Sequence, residues 1–132
     1  MASFESAESI SLLAGSDFTG DLYKVAEISA ANTADVANAT TDVVAGIIGE
    51  EVTSGKVFPL VLLKGRVKVR AGAAITVGQL IVPAADGEVT GVADLTAIPV
   101  DSMAIGIALT AAAAAGDIFE MLAMPIAAPH TA

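Results

Sequence analysis

The sequence predicts an all-β fold, a small β-sandwich or barrel of short strands, on three observations. Seven short runs rich in Val, Ile and Leu lie between residues 20 and 126, which is strand grammar. Their separators are Ser54-Gly55, Gly72, Gly78, Asp86-Gly87 and Gly116, residues that tight turns demand. The main helix-favouring stretch, the five alanines 111–115, is stopped by Gly116-Asp117 and is too short for more than about one turn.

Taken in order, residues 1–19 read as an extended N-terminal arm. Acids and serines are mixed there with Phe4, Ile10, Leu12 and Leu13, which follow no fixed period. Such a segment cannot build its own core, so these four side chains are expected to be buried on a neighbouring subunit or larger assembly. Residues 20–126 form the expected β-domain, with strands over 21–28, 43–48, 56–63, 64–70, 79–82, 104–109 and 117–122. Pro59 inside the third of these cannot donate to a ladder and predicts an edge or a bulge. Residues 127–132 read as a tail beside Pro125 and Pro129.

Two half-repeats, 20–63 and 64–126, are suggested by a recurring order of features. Gly20 and Gly78 are 58 residues apart, Gly46 and Gly106 60, and Gly55 and Gly116 61. In each half a Gly-x-Leu strand precedes a Gly-Ile strand and a turn-led hydrophobic strand, the signature of a duplicated β-unit.

Composition bounds the function. A chain of 132 residues and 13.1 kDa holds one modest domain, and its 55% hydrophobic content overstates the core, since 28 residues are alanine, 12 are glycine and only 4% are aromatic. Small side chains bury little area at about 25 cal/mol per Å², so a homo-oligomer, with a trimer favoured, is expected to complete the burial. The net charge of −9 and pI near 4.2 argue against coating nucleic acid or an anionic membrane. The longest uncharged runs, 71–85 and 102–116, are shorter than the roughly 18 apolar residues of a spanning helix, and the acidic N-terminus is unlike a secretory signal. A protein made and used without export is expected.

Chemistry is sparse. The chain has no cysteine and one histidine, His130, which leaves out disulfides, thiolate catalysis and a core histidine triad. Glu50 and Glu51 are adjacent and on a strand would face opposite ways. Asp86 with Glu88, and Asp35 with Asp42, lack the spacing of a calcium loop and read as turn acids. No phosphate loop or dinucleotide fingerprint occurs. The expectation is a non-enzyme without cofactor or metal. One stretch stands out: Lys64, Arg66, Lys68 and Arg70 hold four of the six bases, and alternation on a strand puts them on one face with Val67 and Val69 turned inward. That stripe is either a docking surface for an acidic partner or a solvated strand face.

The stretch from Gly65 to Thr90, with its Ala-Gly-x-x-Ile-x-x-Gly turn and Asp86-Gly87 turn, followed by Ile105-Gly106-Ile107-Ala108 and Gly116-Asp117-Ile118-Phe119, resembles the capsid cement, or head decoration, proteins of tailed bacteriophages over roughly residues 16–125. The resemblance implies a small oligomeric β-fold, often trimeric, that binds the outer capsid surface and clamps contacts between major capsid protein subunits. It implies no catalytic residue. An alternative is a small β-barrel carrier or an adhesive, carbohydrate-binding module. Residues 69–82 also resemble the hairpin of biotinyl and lipoyl carriers, but Ala123 stands in Met121-Leu122-Ala123-Met124 where a carrier needs its modified lysine. A sugar-binding module would offer stacking aromatics, and this chain has no Trp and one Tyr.

Overall fold

A computed structural model describes residues 8–127. Among these the chain forms ten strands and two single 3₁₀ turns, an all-β fold. The first five strands are β1 (Ser9–Ala14), β2 (Val25–Ala30), β3 (Thr33–Val36), β4 (Gly46–Ile48) and β5 (Val57–Val61). They close into a barrel in the order β1-β3-β2-β4-β5, with β5 returning to β1. Only the β1–β3 pair is parallel, through Leu13–Thr33 and Ala14–Ala34. The second five are β6 (Gly65–Arg70), β7 (Leu80–Pro83), β8 (Val89–Val92), β9 (Met103–Ala108) and β10 (Ile118–Ala127). They form a five-stranded sheet in the order β6-β10-β9-β7-β8, and an isolated parallel bridge from Ala71, the residue after β6, to Val89 of β8 draws its ends together into a second, barrel-like unit.

The two halves are therefore the same device built twice. Advancing every strand number by five turns the first set of pairings into the second, parallel closure included. Register agrees as well. Leu12 faces Phe58 in the first barrel, and Val69 faces Phe119 in the second. The backbone N–H of Gly55 donates to Ala14 O at 2.8 Å, as Gly116 donates to Ala71 O at 2.7 Å. At Gly46 and Gly106 the partner strand comes so near that an added Cβ would sit 2.5 Å from the carbonyl oxygen of Val61 or Leu122. These two glycine pairs of the sequence reading are true counterparts. Gly20 and Gly78 are not: Gly78 N donates to Ala108 O at the place where Tyr23 N donates to Ile48 O, and both residues have positive φ, +89° and +68°. The first barrel places a tyrosine in the left-handed conformation for which the second uses glycine.

Each barrel has an aromatic centre in an aliphatic wall. Phe18 and Phe58 are fully buried in the first with ring centroids 4.9 Å apart, edge to face, a geometry that suits the ring quadrupoles. Around them pack Leu12, Ala14, Ala26, Ala34, Ile48 and Leu60. Phe119 and Met121 fill the second with Val69, Ile75, Ile81 and Ala108. That second core is continuous with Val25, Ala37 and Ile47 from the outer side of the first barrel, so the halves share apolar burial rather than merely touching. A third cluster, Leu80, Val82, Ile98 and Ala104, lies outside β7 and β9, where the β8–β9 connection folds across the sheet.

The arm needs correction. Residues 9–14 are strand β1, bonded to β5 and β3, and Phe18 is fully buried; a separate segment over 1–19 would leave the first barrel open. The half-repeat starts with β1 rather than at residue 20, and the chain crosses from one half to the other between Val61 and Gly65. The period-two signal was present in Ser9-Ile10-Ser11-Leu12 but spans a single short strand. Residues 1–7 and 128–132, with Phe4 and all but the first residue of the expected tail, lie outside the described residues; Ala127 is the last residue of β10. Pro59 sits in β5 between β1 and β4. Its carbonyl accepts Gly49 N at 3.0 Å, so β5 is no edge there, and the proline leaves the ladder without one donor opposite Gly49, just past the end of β4.

Candidate functional site

The basic stripe is half built. In β6 the alternation holds, with Val67 and Val69 buried and Arg66 and Lys68 exposed. Three of its four charges, however, are met within the chain. Lys64 Nζ lies 2.9 Å from Glu8 Oε1. Arg66 Nη1 donates to Glu120 Oε1 at 3.2 Å on the adjacent β10, and Glu120 stands directly opposite Lys68. Arg70 turns away altogether: Nε and Nη2 donate to Leu22 O at 3.1 and 3.0 Å, and Nη1 donates to Gly116 O at 3.4 Å. Arg70 thus ties the second barrel to the loop entering β2 of the first. The structure brings Arg66 and Lys68 together as a surface, with exposed Ile118 and Leu122 on β10 beside them.

The apolar candidates divide too. Leu12 is buried in its own barrel, which removes it from any intermolecular surface. Ile10 and Leu13 are 46% and 41% exposed. Leu13 stands opposite Val57, 61% exposed, and the two form a small apolar pair on the outer face of the first barrel. Ile28, 53% exposed, pairs with buried Ala34 and so lies on the other face of the wall. Sequence reasoning missed Val57 because it opens β5, and Ile28 because the second half of β2 runs out beyond the core, where period two no longer decides burial.

Several acidic side chains are held by local partners. An open groove of about 570 Å³ is lined by Ser16, Asp21, Lys24, Asp35, Val36, Asn38, Asp86 and Glu88. Lys24 pairs with Asp21 at 3.0 Å, and Ser16 Oγ donates to Asp35 Oδ1 at 2.7 Å. No group of three His, Cys, Asp or Glu residues is placed to hold a metal among the described residues. Asp42 accepts Asn38 N and Ala39 N at 2.8 and 3.0 Å and shares a hydrogen bond with Glu27, which stands opposite Asp35 in the β2–β3 ladder. Sharing that bond raises the Glu27 pKa, while the Asn38 amide and Glu27 together lower that of Asp42. Glu51 Oε1 accepts Gly20 N at 2.8 Å, a loop-fixing bond.

With this geometry in place, the chain can be set against known proteins. It superposes on the crystal structure of the head fiber gp8.5 N base in bacteriophage phi29 with a TM-score of 0.68 and 17% identity, over 95% of this chain and 100% of that one. The two share a fold. No family model and no curated protein matches the sequence. The correspondence runs through both barrels, so the duplicated architecture, not one half of it, is what the fiber base has in common with this chain.

Proposed function

We propose that the protein is a structural virion component, a cement or decoration protein that binds the outer surface of a phage capsid and stabilises contacts between major capsid protein subunits. The observation that carries this reading is the match, over nearly the whole chain, to a domain of a phage head fiber. In this reading the protein is made in the host cytoplasm, acts without cofactor or catalysis, and binds protein rather than nucleic acid or membrane, in keeping with a charge of −9. Attachment uses the Arg66–Lys68 surface and exposed aliphatic side chains, and copies act as a homo-oligomer with a trimer favoured. The same likeness favours a second role on the same particle, a base that mounts a projecting appendage.

Difference density between particles assembled with and without the protein separates these roles. Density at the joints between capsid subunits supports the cement role, and density at a few sites beneath a projection supports the base. Particles that never take up the protein would overturn both. Attachment is expected to weaken as salt rises, because the Debye length falls from about 10 Å at 0.1 M to about 3 Å at 1 M. Reversing Arg66 and Lys68 to Glu should cost more than reversing Lys24 and Lys56. Equal losses would return the stripe to ordinary solvated surface.

A further inference from the structure

Strand pairing lays one row of side chains across the outer side of each half. In the first half the row is Val25, Ile47 and Val61, neighbours on β2, β4 and β5. In the second it is Leu80, Ile107, Leu122 and Arg66, neighbours on β7, β9, β10 and β6. The two rows are covered by different means. Val25 and Ile47 are buried against the second barrel, and Val61 packs on the same core. Leu80 and Ile107 are covered by the chain's own β8–β9 connection, through Ile98. That cover ends at β9. Leu122 faces Ile107 as Val61 faces Ile47, yet Leu122 is 41% exposed. Ile118, which alternation puts on the same side of β10, is 39% exposed.

This uncovered strip is also where an acidic chain keeps an unmatched positive charge. Glu120 stands between Ile118 and Leu122 and accepts from Arg66 at 3.2 Å. Arg70, opposite Ile118, turns to Leu22 O. Lys68, opposite Glu120, is the one base of β6 whose charge is not met within the described residues. A purely aliphatic cover over Leu122 and Ile118 would take water from the Lys68 ammonium and return nothing. A cover that carries a carboxylate matches it. Another copy of the chain adds a net charge of −9 to one of −9, a repulsion that a different protein need not bring.

We propose that the β6–β10 face is the part of the protein that meets the capsid, and that it meets an aliphatic patch of a capsid subunit with a carboxylate set against Lys68. The proposal builds on the capsid attachment argued above and sorts the exposed aliphatic side chains. Leu122 and Ile118 belong to the contact, and Leu13 and Val57 of the first barrel do not.

The test is uptake by particles assembled without the protein, measured by co-sedimentation over a range of protein concentrations. Leu122→Glu and Lys68→Glu should each raise the half-saturating concentration by about tenfold or more, as for a residue near the centre of an interface. Leu13→Glu is the control, because Leu13 is as exposed as Leu122, at 41%, and it should bind as the unaltered chain does. Lys68→Arg keeps the charge and should bind nearly as well. Unchanged thermal melting of each variant shows that the fold is kept. If the unaltered chain is taken up and Leu122→Glu is taken up equally well, or loses no more than Leu13→Glu, the face is overturned while capsid attachment stands. If the unaltered chain is not taken up, the attachment reading itself falls. If Leu122→Glu abolishes self-association in solution but leaves uptake intact, the occupant is a second copy, and the proposal is overturned.

Discussion

At the scale of single residues, neighbours decide the cost of a change more than residue type does. Gly87 and Gly55 both have positive φ, +72° and +80°, but a Cβ at Gly55 meets open space while one at Gly87 meets Val36, Lys24 and Val25. Left-handed strain of about 1–2 kcal/mol applies to an alanine at either position. Gly87→Ala should therefore lower the urea midpoint more than Gly55→Ala, the excess measuring how tightly the barrels abut. Phe58→Ala should cost about 3–5 kcal/mol as a large-to-small change in a closed core. It also strips Phe18 of its edge-to-face partner. Arg70→Met keeps most of the stem but leaves Leu22 O without its guanidinium donors, worth about 1.5–3 kcal/mol for hydrogen bonds to a charged group, and equilibrium denaturation would read that loss.

At the scale of elements, the 3₁₀ turn Leu95–Ala97 depends on one carboxylate. Asp94 accepts Thr96 N, Ala97 N and Thr96 Oγ1, and the Thr96 hydroxyl foremost holds its pKa below the usual aspartate value. A depressed pKa means the cap contributes fully above the ordinary aspartate range and is lost as pH falls through the lowered value. The protection factors of the Thr96 and Ala97 amides, in which the intrinsic pH dependence of exchange is divided out, should fall on that descent. Asp94→Ala should lower them at neutral pH, and unchanged exchange in that variant would remove the cap from the account. How legible an element was depended on how its burial was arranged. The strand over 64–70 was readable because Val67 and Val69 alternate with charges. By contrast, β3 and β8 are four residues each, and Thr33–Val36 mixes small, acidic and apolar side chains in an order that only its place in the barrel explains. Lys64 and Arg70 read as members of a stripe, but their partners Glu8 and Leu22 O are 56 and 48 residues away, and spacing along one strand carries no information at that range.

At the scale of the whole molecule, two barrels with a shared core should melt as one. Val25, Ala37 and Ile47 belong to the core of the half they do not sit in, so neither half can unfold without exposing the other. Far-UV circular dichroism and the fluorescence of Tyr23, the one tyrosine, which packs against that core, should report coincident transitions; two resolved steps would mean the barrels are energetically separate. The duplication was legible from glycines because Gly46 and Gly106 are fixed by a neighbouring strand, whereas Gly20 misled because Tyr23 takes in the first half the left-handed position that Gly78 takes in the second. The order of synthesis gives the shared core a further meaning. Every strand of the first barrel lies within residues 9–61, so on a ribosome it can close before the second has emerged. The completed half must then wait with Val25 and Ile47 bare to the cell, during the interval in which a partly made protein is most prone to sticking to others of its kind.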